Sequence, residues 1–197
     1  MRYLNQLAYR HIPYRTNVCN PEYTEEMRQR NVALSGCGPC SVCMMIDLLT
    51  DRSLDIAECI KISEDCVANH HVGTDMSVLG PVISEKFDLD YRGTSDLSVA
   101  VTHLQKGGAI IARVGVREGE TIGLFTKKSH YVFIVSTDGE RFCILDPSYT
   151  PEKFKLPERA GKINTAHAPY LYCDINVLHA ELEKDPIGDH LFARKHD

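Results

Sequence analysis

Apolar positions along this chain follow two periods. Up to about residue 108 they recur at helical spacing, and beyond it they form short runs of strand length. Val42, Met45, Ile46 and Leu49 share one face of a predicted helix over Pro39 to Leu49. Cys43, Met44 and Leu48 leave Asp47 as its only charge. A helix apolar almost all round is a buried one. Ser53 can cap a second helix running to about Ala68, with Leu54, Ala57, Ile60 and Val67 as its stripe. Asn69-His70-His71-Val72-Gly73 interrupts it. Thr74 or Asp75 caps a third helix with Met76, Leu79 and Ile83 inward, which Pro81 predicts to be kinked or short. Leu89-Asp90-Tyr91 reads as a brief strand. Ser95 or Asp96 then caps a fourth helix, carrying Leu97, Val101 and Leu104 and stopped by Gly107-Gly108.

The second half reads as sheet. Ala109 to Val114 is a buried strand, and Gly115 to Ser129 is a loop long enough to point to function. His130 to Val135 and Arg141 to Leu145 flank the hairpin signal Asp138-Gly139, and Asp146-Pro147-Ser148 ends the second of them. After Tyr149 the chain reads as polar and loop-like, with a short strand near Tyr170-Leu171-Tyr172 and a helix near Ile175 to Glu183. Residues 1 to 33 read as irregular, with an extended piece at His11 to Tyr14 and a surface helix over Glu22 to Arg30. The layout is α+β: a helical N-terminal half whose buried central helix packs on a mostly antiparallel sheet. One domain over 1–197 is expected, with a core at about 12–148 and a C-terminal extension over 149–197.

Composition narrows the function classes. Of 197 residues, 43% are hydrophobic and 25% charged, which is ordinary for a globular chain that buries a core without staples. The formal charge of -5, with no basic cluster, argues against nucleic acid as a partner. No apolar stretch approaches the roughly 18 residues needed for membrane insertion. Met1 to Gln6 hold no signal core, so a cytoplasmic location is the expectation. The eight cysteines then read as reduced thiols, with Cys59, Cys66 and Cys143 as core filler.

One stretch carries chemistry. Cys37 stands between Gly36 and Gly38, and Pro39 follows, a residue tolerated only in the first helical turn. Cys37 therefore belongs at the tip of the buried helix, where the helix dipole favours a thiolate. Antiparallel pairing sets the start of one hairpin strand beside the end of the next, so His130 and Asp146 should be neighbours. Were the helix tip to meet that sheet end, the three would form a nucleophile, a base and an orienter. They fit equally well a structural cysteine, a surface histidine and a turn aspartate. Cys37-Gly38-Pro39-Cys40 also spells a thioredoxin-type dithiol, but the preceding Arg28 to Ala33 is not strand-like and no βαβ pattern surrounds it. Cys37, Cys40 and Cys43 have a metal-like spacing, yet on a helix Cys37 and Cys43 diverge by roughly 240°. His70-His71 reads as polar loop, and His11, His103, His167 and His179 as structural.

Gly36-Cys37-Gly38-Pro39-Cys40-Ser41-Val42-Cys43-Met44 resembles the Gly-Cys-Gly-Pro-small-Ser-apolar-small-Met signature of family thirty-nine of the papain-like cysteine peptidases, which processes bacteriocin precursors after a double-glycine leader. Leu104 to Ile111 resembles that family's helix-Gly-strand step, His130 to Val135 its His-aromatic-Val strand, and Leu145-Asp146-Pro147 its closing Asp-Pro. The resemblance covers about Ile12 to Ser148. It implies a papain-like fold and a thiol-dependent hydrolase of peptide or other amide substrates, with Cys37 as nucleophile, His130 as base and Asp146 as orienter. It implies no metal and no organic cofactor. The chain departs from the family at the glutamine whose amide helps form the oxyanion hole. By position after Ile12-Pro13-Tyr14 that amide falls to Asn17, with Gln29 as the alternative. An acyl transferase with the same triad and a degenerate peptide-binding domain fit the same pattern. The family's best-known members are fused to membrane transporters, which this chain does not include, so their leader-peptidase role is not carried over.

Overall fold

The computed structural model describes residues 1–25, 29–182 and 188–195. Its helices are α1 (Val32–Ser35), α2 (Cys37–Leu49), α3 (Ile56–Asp65), α4 (Met76–Phe87), α5 (Leu97–Gln105) and α6 (Ile175–His179). Four of them start on aspartates. Asp55, Asp75, Asp96 and Asp174 each accept the N–H of the residue two positions on, Ala57, Ser77, Ser98 and Asn176. Each cap satisfies an N–H that the first turn leaves without a partner.

The second helix thus begins at Asp55 rather than Ser53, and it ends at Asp65 rather than Ala68. Its inward stripe is Ile56, Cys59, Ile60 and Ser63. Ala57 faces solvent, and Val67 leaves the helix in the left-handed region (φ 60°) and is exposed. Pro81 does not end α4. It sits on the solvent side, where water can take the carbonyl that lacks its helical donor, and the helix runs on to Phe87.

Seven strands form one antiparallel sheet among the described residues, in the order β1-β7-β2-β3-β4-β6-β5. They are β1 (Leu89–Thr94), β2 (Ala109–Val114), β3 (His130–Thr137), β4 (Arg141–Leu145), β5 (Ile163–His167), β6 (Tyr170–Asp174) and β7 (Asp189–Arg194). The β3–β4 hairpin turns at Asp138-Gly139, where Gly139 takes the positive φ (96°) such a turn needs. Both sheet faces are covered. Ile111, Phe133, Leu145 and Phe192 pack under α2, α3 and α4, while Ile110, Val132, Ile144 and Leu191 face α5, α6 and the loop residues Leu124 and Phe125. Coverage on both faces explains why β2 and β3 read as continuous apolar runs instead of alternating. Helix α2 lies between this sheet and α3. Seven successive residues, Cys40 to Ile46, are at most 1% exposed.

After Tyr149 the expected strand near Tyr170 to Tyr172 is β6, but the loop-like reading of the rest does not hold: the segment also supplies β5 and β7, and β7 lies between β1 and β2 in the sheet interior. The surface helix expected over Glu22 to Arg30 falls partly on residues 26–28, outside the described residues. The helix expected to reach Glu183 is α6, ending at His179, and Glu183 itself is outside the described residues.

Candidate active site

Two close approaches set the start of α2. A Cβ on Gly36 would stand 2.6 Å from the Val32 carbonyl oxygen, so only glycine lets α1 run directly into α2. A Cβ on Gly38 would come 2.9 Å from the Thr74 side chain, which holds the helix tip against the segment before α4. Pro39 sits in the first turn, where no N–H is missed. Cys37 is the first residue of the helix and is partly exposed, whereas Cys40 and Cys43 point into the core.

His130 opens β3, and Asp146 is the first residue past β4. His130 Nε2 lies 2.8 Å from Asp146 Oδ1, with the carboxylate fully buried and the imidazole nearly so. Since Nε2 faces Asp146, the ring presents Nδ1 to the Cys37 thiol, with which His130 shares a hydrogen bond. The backbone N–H groups of Gly38 and Tyr131 also point at that sulfur. Asp146 is held from several sides. The Ser148 backbone N–H donates to its Oδ1 at 2.8 Å, the Ser148 hydroxyl at 3.0 Å, and the Lys153 ammonium to its Oδ2 at 2.5 Å. The Tyr3 hydroxyl donates to its main-chain carbonyl at 2.6 Å.

Burial would raise the Cys37 thiol, but the hydrogen bond and charge of His130, with the N–H groups of Tyr131 and Gly38, bring it below the ordinary value. Burial likewise pulls His130 down, and the charge and hydrogen bond of Asp146, then the thiolate, lift it above the ordinary value. Asp146 is pushed up by burial and pulled far more strongly down by Lys153 and His130, to well below the usual carboxylate range. A thiol moved down beside an imidazole moved up is the condition for a thiolate–imidazolium pair.

The pair opens onto a cleft of about 630 Å³. Asn17 lines it, held in the left-handed region (φ 64°) by its N–H, which is shared between the carbonyls of Asn69 at 2.8 Å and His71 at 2.7 Å. Gln29 is solvent-exposed and does not line the cleft. The geometry therefore brings Cys37, His130 and Asp146 together, sets Asn17 on the wall of the cleft they open onto, and leaves Gln29 out. The dithiol pattern finds no support: Cys40 is fully buried, burial drives its thiol well above the ordinary value, and all eight cysteines are free. No group of three metal-binding side chains occurs among the described residues, and no described helix is long and apolar enough to cross a membrane.

Sequence reasoning missed three residues around the site. Ser148 was read only as part of a strand end, and Lys153 was lost in a segment read as loop. His190 lines the cleft from β7, where the Tyr91 hydroxyl meets its Nδ1 at 2.9 Å and burial lowers it to about 4, so it is neutral near pH 7. The register of the hairpin could have found Ser148. Continuing the Phe133–Leu145 pairing two steps past Val132–Asp146 sets Ser148 across from His130. No local pattern marks Lys153 or His190.

No family model and no curated protein matches this chain. Among solved structures, it is similar to a Bacillus anthracis protein provisionally described as a C39-like peptidase. The TM-score is 0.56 at 10% sequence identity, over 95% of this chain and 96% of the other. At that identity the likeness is one of fold.

Proposed function

We propose that this protein is a papain-like cysteine hydrolase that cleaves a peptide or other amide bond, with Cys37 as nucleophile, His130 as acid and base, and Asp146 as orienter. One observation carries the reading: a thiol at a helix tip is bonded to an imidazole whose other nitrogen rests on a buried carboxylate. The fold likeness supports it independently.

In this reading the Cys37 thiolate attacks the substrate carbonyl carbon, and the carbonyl π pair moves to oxygen. The Asn17 amide and the N–H groups at the start of α2 stabilise that oxyanion. As the C–N bond breaks, the Nδ1–H of His130 protonates the departing amine, which leaves a thioester on Cys37. Neutral His130 then takes a proton from water. The hydroxide adds to the thioester, and sulfur departs as thiolate beside the re-formed imidazolium. Asp146 keeps Nε2 as the donor nitrogen throughout and stays ionised.

Iodoacetamide at pH 6 followed by peptide mapping tests this. Cys37 is expected to react at least about tenfold faster than the other accessible thiols, Cys19 and Cys66. Cys19 also meets an imidazole, His70 Nδ1 at 3.0 Å, but on the exposed surface, whereas the imidazole beside Cys37 is held on a buried carboxylate. His130→Ala should remove the difference. Equal rates at all three in the parent protein would sink the reading.

A further inference from the structure

We propose that Lys153 is a positioning residue of this site: by holding the second oxygen of Asp146, it sets the pH range over which the Cys37–His130 ion pair exists. This rests on the reading of Cys37 and His130 given above.

Asp146 is one carboxylate shared by two cationic groups. Oδ1 faces His130 Nε2 at 2.8 Å, and Oδ2 faces Lys153 Nζ at 2.5 Å. The Ser148 hydroxyl ties them together, 3.1 Å from His130 Nε2, 3.0 Å from Asp146 Oδ1 and 2.7 Å from Lys153 Nζ. The lysine is no surface neighbour, for its side chain is 11% exposed. Its ammonium lies 5.8 Å from the Phe125 ring centre and 5.7 Å from that of Phe154. The short helical turn Pro151–Lys155 fixes its backbone, capped by Thr150, whose hydroxyl accepts the Lys153 N–H.

The electrostatic consequence follows from who faces whom. On the acidic side stand Asp146 and, once ionised, Cys37. On the basic side stand His130 and Arg159, whose Nη1 donates to the Lys153 carbonyl at 3.2 Å. The Tyr3 hydroxyl donates to the Asp146 main-chain carbonyl and, with its pKa raised by burial, stays neutral beside that carboxylate, Glu181 bears on Arg159, and Glu152 and Lys155 are exposed. A carboxylate serving His130 alone would hold the imidazolium to high pH. A second cation on that carboxylate repels the imidazolium, so His130 gives up its proton at lower pH. The same cation attracts the Cys37 thiolate, which then forms at lower pH as well. Both edges of the ion-pair range therefore sit lower with Lys153 than without it.

Charge and packing make different predictions here. A lysine that only propped Asp146 in place would change how much active protein there is, not where either edge lies.

The test is the pH profile of Cys37 alkylation by iodoacetamide, with thermal stability measured on the same samples. Lys153→Met and Lys153→Gln are expected to move both the acid and the alkaline limb upward by about one pH unit, the size of effect a charge at this range exerts. Lys153→Arg keeps the charge and should return both limbs toward the parent. Limbs unmoved in Met and Gln variants that fold, with only amplitude or melting temperature reduced, overturn the proposal. Should neither variant fold, the parent decides it: the nitrogen NMR signal of Lys153 Nζ must shift as His130 titrates, and a signal indifferent to that titration overturns it. A parent profile with no acid-shifted limb, or one unchanged in His130→Ala, instead removes the Cys37–His130 reading itself.

Discussion

Asn17 shows how narrowly a single residue can be tested. Its φ of 64° is a conformation that most side chains resist, so an alanine there would combine lost chemistry with backbone strain. Glycine accepts that φ freely and lacks the amide. If Asn17 supplies an oxyanion donor, Asn17→Gly is expected to lower kcat on a peptide substrate by about 100-fold with an unchanged circular dichroism spectrum. A loss under about threefold would remove Asn17 from the mechanism. Cys37, His130 and Asp146 were legible in the sequence because each carries a local signal: glycines around a thiol, a histidine opening an apolar strand, an Asp-Pro closing its partner. Lys153 and His190 were not legible. They reach the site through a turn and a strand whose sequences give no periodic pattern, and a lone Lys or His reads alike in a loop and in a site.

Among the elements, the long loop between β2 and β3 is better fixed than its length implies. The buried Glu181 carboxylate accepts the Leu124 N–H at 2.7 Å and lies 3.7 Å from Arg117 Nε, while Arg159 Nε donates to the Gly123 carbonyl at 2.8 Å. Leu124 and Phe125 are buried beneath it. A hydrogen bond to a buried charge contributes about 1.5–3 kcal/mol, enough to change local opening by ten-fold or more. Glu181→Ala is thus expected to speed trypsin cleavage at Lys127 and Lys128 about tenfold, and Glu181→Gln, which keeps an acceptor, much less. Equal rates in all three proteins would mean the loop is held by other contacts. The loop's existence was readable from its lack of period, but its rigidity was not, because Glu181 lies more than fifty residues further along the chain. The helices were readable in kind and approximate extent. The errors at Ser53, Ala57 and Val67 arose from assigning the cap to a serine when an aspartate two residues on does the work.

Considered whole, the molecule carries opposed proton linkages on β7. Asp189 is 2% exposed, and burial raises it to about 7. Its folded form binds a proton more tightly than the unfolded chain, so between about pH 4 and 7 stability falls as pH rises, and the whole penalty is present above 7. Neighbouring His190, lowered to about 4 by burial, works the other way: its contribution is complete above 6.5 and is lost as pH falls toward 4. Asp189→Asn is expected to be more stable than the parent by at least about 1 kcal/mol at pH 8. The gain should shrink by more than half at pH 5, as read from urea unfolding. A gain independent of pH would mean that Asp189 does not change its ionisation on folding.

The position of β7 also bears on the order in which the protein can be made. Strands β1 and β2 come off the ribosome about 95 and 75 residues before the strand that joins them, so while that stretch is made each presents an unpaired edge. The wall of the cleft that His190 supplies arrives with β7. A nascent chain can therefore form α2 and the β3–β4 hairpin, thiol and imidazole included, while the cleft beside them still lacks one side. The thiol and imidazole therefore face an open side until translation has passed Asp189. A chain stopped before that point should also be recovered as aggregate, not as folded protein.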